Sequence, residues 1–328
     1  MSSSRRVQLM AIGIVPLALL AMGLWLANPI PDSRNDEAEE RSASATPIRA
    51  APSATFTLTA SPTATPTPTL IPTDTPRPPM PTAPAHLDNS WQQMPVVPEV
   101  SPAMKAVYAR GLALGNEPHA FAKAGDCNTE SEFFLTPFDQ SGTYRLGPYA
   151  DLQAVIDNFA GSFSHVSVAA RTGFGPGAMF DPTWVDPNIC LATEGPLECE
   201  YRLQRPSLAL ISLGTHYPPL AEFESRMRAV IEFSLDRGVV PILATKVDVE
   251  GGDRVNAIIV YLAQQYEVPV WNFWRAAQPL DNHGQPDEIH FTWASNFFDS
   301  PYALRHGWPV RNLTALQTLQ AVWQAVSE

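Results

Sequence analysis

Apolar segments of strand length alternate with amphipathic segments of helix length through most of the chain beyond residue 98. The runs at 208–213, 239–245 and 268–273 are rich in Val, Leu, Ile and Ala, which is typical of buried strands. Between them, apolar residues at helical spacing mark 220–237 and 254–266. Strands that alternate with helices need crossover connections, so the pattern predicts an α/β domain with a parallel sheet and helices on both faces.

The same spacing rules predict the other elements of this domain. Predicted helices lie at 102–115, 149–159 and 310–326, an apolar strand leads to Ala124, and a short strand covers 165–170. The segment 174–206 has little regular pattern and reads as an insertion. In such sheets ligands bind beyond the carboxyl ends of the strands, so residues just after each strand are the candidates for a site.

The N-terminus has the pattern of a membrane segment. Arg5 and Arg6 precede an uncharged, mostly apolar run from 7 to 27, and roughly 20 such residues span a bilayer. The arginine pair predicts a cytoplasmic start and an extracytoplasmic remainder. The run is long for a secretory signal and no clear cleavage site follows it. Residues 1–30 therefore favour an uncleaved anchor, with a cleaved signal and a secreted protein as the alternative.

A linker follows this segment. Residues 31–97 begin with a short acidic stretch and continue as Pro, Thr, Ala and Ser with little else. Such a composition cannot bury enough apolar surface to offset the entropy of ordering, so it predicts a disordered stalk. The folded domain is then expected at 98–328, a length that suits one α/β domain.

Charge and cysteine content exclude some function classes. The formal net charge is −12, which argues against nucleic acid as a partner because phosphates require a basic surface. Three cysteines are too few for a disulfide scaffold. Cys190 and Cys199 are close in sequence and are expected to pair outside the cytoplasm, which would stabilise the fold by roughly 2–3 kcal/mol. Cys127 is then the remaining thiol, although a pairing that used Cys127 stays open.

Cys127 follows Gly125 and Asp126 at a sharp turn after a predicted strand. This arrangement can present a nucleophilic side chain at the mouth of a pocket. The alternative is an ordinary Gly-Asp turn that carries a small core cysteine.

Asp287 lies three residues before His290. A carboxylate at this spacing can accept the Nδ1–H of the imidazole and fix its tautomer, which leaves Nε2 to act as a base. The alternative is a loop with unrelated polar residues. His283, between Asn282 and Gly284, is the poorer candidate because it reads as a turn residue.

Four short blocks in this order resemble the SGNH (GDSL-type) hydrolase family over about residues 121–328. They are Gly-Asp-Cys at 125–127, Gly173 after the second strand, Gly-Thr-His at 214–216 and Asp-x-x-His at 287–290. The resemblance implies a flavodoxin-like three-layer fold and an esterase, lipase, thioesterase or carbohydrate O-acyl esterase. It also implies a small-molecule or glycan ester as substrate and no metal or other cofactor.

The resemblance assigns a role to each matching residue. Cys127 stands where the family has its nucleophilic serine, His290 matches the base and Asp287 the acid that orients it. The oxyanion hole would be formed by the backbone N–H of Cys127, the N–H of Gly173 and the side chain of His216.

Other positions support these roles. Gly175 is the alternative to Gly173, because the glycine-rich run blurs the alignment. Asp126 matches the acidic turn residue beside the nucleophile, and Gly125 and Gly214 match the glycines of their blocks.

Two positions depart from the family pattern. Cys127 replaces a serine, and His216 replaces an asparagine whose loss as a donor typically costs about 3–4 kcal/mol of transition-state stabilisation. A second hypothesis is therefore a catalytically inactive module that binds a surface glycan or a protein partner. A third is a zinc site formed by Cys127, His216 and His290, which are ligands of the types that zinc accepts.

Overall fold

The computed structural model describes residues 87–214, 219–247 and 252–328. The predicted anchor at 1–30 and most of the predicted stalk lie outside these residues, so both stay predictions. The described residues all belong to one compact unit, Thr75–Glu328. Among them, no helix has the length and hydropathy that crossing a membrane requires.

The described chain contains eight α-helices and six strands. In chain order they are α1 (Ala103–Ala113), β1 (Glu117–Gly125), α2 (Cys127–Glu130), β2 (Tyr144–Arg145), α3 (Gln153–Asn158), α4 (Pro196–Gln204), β3 (Pro206–Ser212), α5 (Leu220–Asp236), β4 (Val240–Ala244), α6 (Gly252–Tyr266), β5 (Val270–Trp271), α7 (Phe273–Ala277), β6 (Asn296–Phe297) and α8 (Gly307–Ser327). Short 3-10 helices lie at Ser90–Gln93, Thr136–Asp139, Gly147–Leu152, Pro182–Trp184, Asp281–Gly284 and Ala303–Arg305.

The main sheet is parallel and has the strand order β1-β3-β4-β5. A parallel bridge between Gly125 and Ala170 places the chain before Arg171 on the free side of β1. The described order is then the Ala170 segment, β1, β3, β4 and β5, which is consistent with a flavodoxin-like arrangement. A separate parallel pair joins β2 to β6.

Both faces of the sheet centre are covered. Every residue of β3 and of β4 is buried, although side chains alternate between the two faces of a strand. Two groups of helices provide the cover: α1 contacts α8, β3 and β4, whereas α5 contacts α6 and β4. The α/β class with a parallel sheet, predicted from the alternating apolar segments, is confirmed.

Some predicted elements differ from the structure. The predicted strand at 165–170 is wrong, because only Ala170 forms a bridge. The predicted helix at 149–159 is a 3-10 helix followed by the shorter α3. The segment 174–206 is not irregular throughout, because it contains α4, whose first turn is capped by a hydrogen bond from the Gly195 N–H to Glu198 Oε2 (2.8 Å).

The remaining differences concern the last predicted strand and the start of the described chain. The last predicted strand is shorter than 268–273, because α7 begins at Phe273. Residues 87–97 pack against the domain: Trp91 is buried, its ring lies 5.0 Å from that of Trp274, and the Val96 carbonyl accepts from the Asn272 N–H.

The predicted disulfide between Cys190 and Cys199 is confirmed. It ties the loop before Pro196 to the middle of α4, and both sulfur-bearing residues are buried. The arrangement holds an otherwise long connection against the body of the domain. The alternative pairings that used Cys127 are therefore wrong.

A buried cluster of ionisable side chains lies beneath β1. Lys123 Nζ donates to the Phe163 carbonyl (2.8 Å). Glu200, fully buried on α4, accepts from the Val168 N–H (3.0 Å) and is hydrogen-bonded to the His165 ring (3.0 Å). Burial lowers the pKa of Lys123 to about 8, against the opposing effect of the negative charges of Glu200 and Asp139.

We expect this lysine to make the fold more stable as the pH rises above 8. Between the folded pKa of Lys123 and its ordinary value of 10.5, the unfolded chain binds the proton and the folded chain does not, so stability increases with pH. Relative to the Lys123→Met variant, the free energy of unfolding of the unmodified chain should rise by about 2 kcal/mol between pH 8 and pH 10. Urea denaturation at both pH values measures it.

Lys105→Met is the control, since Lys105 is exposed on the neighbouring α1. The free energy of unfolding of Lys105→Met should change with pH in the same way as that of the unmodified chain between pH 8 and pH 10. Parallel pH profiles for Lys123→Met and the unmodified chain would contradict the assignment.

Candidate active site

The carboxyl ends of β1, β3 and β4 meet at one edge of the sheet. Asp126 follows β1, Gly214 lies two residues beyond β3, and Lys246 lies two residues beyond β4. The Lys246 ammonium forms an ion pair with Asp126 Oδ2, and both side chains are mostly buried. Gly214 lies beside this pair, since an added Cβ would be 3.4 Å from Lys246 Cε. The ion pair therefore joins the ends of β1 and β4, next to the end of β3.

Gly125 allows the turn that follows β1. A Cβ at this position would lie 2.2 Å from Thr129 Oγ1 and 2.7 Å from the Ser212 carbonyl oxygen, both far inside contact distance. Only glycine lets the start of α2 pack this closely on the ends of β1 and β3. The close approach sets the direction in which the chain leaves the sheet.

Cys127 is the first residue of α2. Asp126 caps this short helix, because its Oδ1 accepts from the Asn128 N–H (3.1 Å). Cys127 lies outside the disulfide and is partly buried. A turn follows β1, as expected, and the sulfur-bearing side chain lies two residues beyond the end of the strand.

Asp287 and His290 form the predicted pair. Asp287 Oδ2 lies 2.8 Å from His290 Nδ1, and its Oδ1 accepts from the backbone N–H groups of His290 (2.7 Å) and Ile289 (3.1 Å). These hydrogen bonds, the one to the imidazole first, lower the pKa of Asp287 to about 2. The side chains are 54% and 63% exposed. The carboxylate thus stays charged and orients the ring while Nε2 points away from it.

One hydrogen bond joins the cysteine turn to the histidine loop. Asn128, which directly follows Cys127, donates from Nδ2 to the carbonyl of Ile289, which directly precedes His290 (2.8 Å). The same carbonyl accepts from Gln285 Nε2 (2.8 Å). Two segments more than 160 residues apart in sequence are therefore adjacent.

The segment that carries Gly173 is tied to the other end of α2. Glu130 Oε2 accepts from both the N–H and the hydroxyl of Thr172, each at 2.7 Å. Gly173 then adopts a φ of 87°, which a side chain would disfavour. Gly173 and Gly175 both line a cleft of about 370 Å³. These ties make the turn at 125–127 adjacent to three segments, which carry Gly173, Gly214 and the Asp287–His290 pair.

His216 lies outside the described residues, so its predicted role in the oxyanion hole stays a prediction. The zinc hypothesis, which also requires His216, stays one for the same reason. In the described ranges, a close group of three potential metal ligands occurs at Cys190, Glu194 and Cys199, but the disulfide consumes both sulfurs. His283 has a φ of 53°, as a turn residue would.

The sequence analysis did not identify the side chains whose contacts join the strand ends and loops at this edge of the sheet. Lys246 is a charged residue two positions after a buried strand, a signal that could have marked it. Asn128, Glu130 and Thr172 give no such signal, because their partners are remote in sequence.

Of the aromatic residues between 291 and 298, Phe291 and Phe298 are buried, whereas Trp293 is exposed. The side chains of Phe291 and Phe298 belong to the hydrophobic core. Trp293 lies three residues beyond His290 and lines a separate cleft of about 290 Å³ with Phe133 and Trp308.

Comparison with known proteins adds no relative. No family model, no curated protein and no solved structure matches the chain. The resemblance to SGNH hydrolases stays a prediction, and the function is inferred from the arrangement of these side chains.

We expect the Asp126–Lys246 pair to be strongly coupled. Lys246→Met leaves a buried carboxylate without its cation and should lower the free energy of unfolding by about 3 kcal/mol. Adding Asp126→Asn removes that carboxylate, so the double variant should lose at least about 1 kcal/mol less than the sum of the single losses. Urea denaturation of the three variants measures the coupling.

The exposed pair Arg145–Asp299 is the control cycle, for which Arg145→Met and Asp299→Asn should couple by less than about 1 kcal/mol. Additive losses at Asp126 and Lys246 would show that the pair does not hold the strand ends together.

Proposed function

We propose that this chain is an acyl-ester hydrolase of the SGNH type with a Cys127–His290–Asp287 site. The observation that supports the proposal is the hydrogen bond between Asn128 and Ile289, because it makes the loop before His290 adjacent to the turn that carries Cys127. A nucleophile after a strand, and a base held by a carboxylate, are the parts that acyl transfer requires.

The reaction would proceed in two steps. His290 Nε2 accepts the Cys127 proton, and the thiolate attacks the ester carbonyl to form a tetrahedral oxyanion. Collapse breaks the ester C–O bond, and the alcohol leaves with the proton from the imidazolium. Water, deprotonated by His290, then attacks the thioester, which releases the acid and regenerates the thiol.

The oxyanion would be bound by the N–H groups of Cys127 and Gly173 and by His216. The ties from Asp126 to Lys246 and from Glu130 to Thr172 support this assignment, because they bring the Cys127 turn and the Gly173 segment to one edge. Donors preorganised in this way stabilise the charge that develops in the transition state.

The fold and the location form part of the proposal. The order of the strands fits the flavodoxin-like, three-layer form that the SGNH resemblance implies. The disulfide is typical of an oxidising compartment. We place the catalytic domain outside the cytoplasm, tethered to the membrane through residues 1–30 and the linker, or secreted if that segment is cleaved.

Replacement of Cys127 by alanine should abolish hydrolysis. With the purified full chain and p-nitrophenyl acetate, we expect kcat/KM of Cys127→Ala to fall at least about 1,000-fold, because no nucleophile remains. Iodoacetamide should add one group to the unmodified chain and none to the variant, since the other two cysteines form the disulfide. Ser131→Ala, just beyond α2, is the control. Equal hydrolysis by Cys127→Ala would eliminate this cysteine as the nucleophile.

The two neighbouring histidines allow a matched comparison. His290→Asn removes the base and should lower kcat/KM by about 100- to 10,000-fold. His283→Asn should leave the rate near that of the unmodified chain, because asparagine tolerates the left-handed backbone at this turn. The same assay measures both. Equal losses in the two variants would contradict a specific role for His290.

The second candidate is an inactive module that binds a glycan or a protein partner at the same edge. The exposure of Trp293 beside the histidine loop favours it. If the unmodified chain shows no turnover, a chain with Cys127→Ser and His216→Asn distinguishes the two. A large gain of hydrolysis in that double variant would support descent from an active esterase.

A further inference from the structure

A cleft of about 370 Å³ lies beside the candidate oxyanion position and has no role in the reaction steps above. It is lined by Gly173, Gly175, Pro176, Gly177, Ala178, Phe180, Asp181, Trp184, Glu222 and Arg226. We call it the Trp184 cleft. Because Gly173 belongs to its wall, a molecule in the cleft would extend from the point where the ester carbonyl is expected.

Two elements form the walls of the Trp184 cleft. One wall is the segment from Gly173 to Trp184, which is held where the Leu197 N–H donates to the Met179 carbonyl (3.0 Å) and where Gly195 packs directly on the Phe180 backbone. The disulfide anchors the chain around α4. The other wall is the start of the long helix α5, which contributes Glu222 and Arg226.

Trp184 offers an aromatic surface at the rim of the cleft. Its side chain is 46% exposed, yet its ring is fixed by an edge-to-face contact with buried Phe174 (5.7 Å between centroids). Asp181 caps the 3-10 helix that carries it, because Oδ1 accepts from the N–H (2.9 Å) and the hydroxyl (2.7 Å) of Thr183. A rigid, half-exposed aromatic ring can stack on the apolar face of a flat ligand.

Charged groups on both walls provide hydrogen-bond donors and acceptors. Arg226 Nε donates to Glu222 Oε1 (2.8 Å), and the arginine lies against Gly177, where an added Cβ would be 3.3 Å from Cδ. Hydrogen bonds from Thr183, and the charge of Arg226 to a smaller extent, lower the pKa of Asp181. The cleft therefore contains two carboxylates, Asp181 and Glu222, and one guanidinium, Arg226.

This set of groups selects a ligand class. Carboxylates accept hydrogen bonds from hydroxyl groups and a guanidinium donates to them, while the surplus negative charge repels an anionic ligand. A simple acyl chain has no groups that could form hydrogen bonds with these charged side chains. A neutral, hydroxyl-rich ring with one apolar face satisfies the aromatic surface and the polar groups together.

We propose that the Trp184 cleft binds a neutral saccharide, which would be the alcohol part of the ester. The link to the ester rests on the proposed function, whereas saccharide binding does not. The substrate would then be an O-acylated neutral glycan, with the sugar in the cleft and the acyl carbonyl beside Gly173.

Calorimetric titration of the full chain with cellotetraose, xylotetraose, chitotetraose and tetragalacturonate tests the proposal. We expect at least one neutral tetrasaccharide to bind, and to bind more tightly than anionic tetragalacturonate. Trp184→Ala should raise its Kd about tenfold and Arg226→Gln about fivefold. Trp184→Phe, which keeps an aromatic ring, should lie between the unmodified chain and Trp184→Ala. Tyr302→Ala, which removes an exposed ring elsewhere, should bind like the unmodified chain.

Thermal melting of each variant separates loss of binding from loss of folding, and Arg226→Gln supplies a surface change if Trp184→Ala is unstable. The proposal is overturned if no neutral tetrasaccharide binds below about 10 mM, if both cleft variants bind like the unmodified chain, or if tetragalacturonate binds best. Hydrolysis of p-nitrophenyl acetate on the same preparation reports the proposed function alone. Saccharide binding without hydrolysis would reject the proposed hydrolase function and support the assignment of the Trp184 cleft. Hydrolysis without saccharide binding would support the hydrolase function and reject the assignment of the cleft.

Discussion

The buried ion pair between Asp126 and Lys246 is the interaction on which the sheet edge depends. Asp126 uses one carboxylate oxygen to cap α2 and the other to bind the lysine that follows β4. A charge in this position is costly unless it is paired, so the two residues stabilise the edge only when the strands are in register. The pair therefore couples the direction of the Cys127 turn to the correct assembly of the sheet.

Helix α2 and its N-cap residue make contacts with three separate parts of the chain. Alternate side chains each reach a different part of the chain: Asp126 to Lys246, Asn128 to the loop before His290, and Glu130 to the segment before Gly173. Cys127 lies between the first two of these contacts. A short helix with so many external ties is held by tertiary contacts rather than by its own hydrogen bonds, which suits the positioning of a reactive group.

Local pattern was enough to find the buried strands β3 and β4, the long helices α5, α6 and α8, and the Asp287–His290 pair, since each rests on residues close in sequence. Local pattern did not predict elements whose limits depend on contacts with other parts of the chain. Helix α4 was missed because its boundary depends on the cap at Gly195, and the strand at 165–170 was overestimated because one bridge with Gly125 is all that pairs there. Lys246 and Asn128 could not be assigned, because their partners lie over a hundred residues away.

The amino-acid sequence by itself determined the α/β class, favoured the pairing of Cys190 with Cys199, and marked Cys127 and the Asp287–His290 pair as candidate site residues. Those features follow from apolar spacing and from short-range chemistry. Only the tertiary structure decided that these groups share one edge, and that the segment from Gly173 to Trp184 forms a cleft with α5. Such proximity arises when parallel strands align their carboxyl ends and bury their side chains, and that alignment is a property of the packed chain rather than of any local segment.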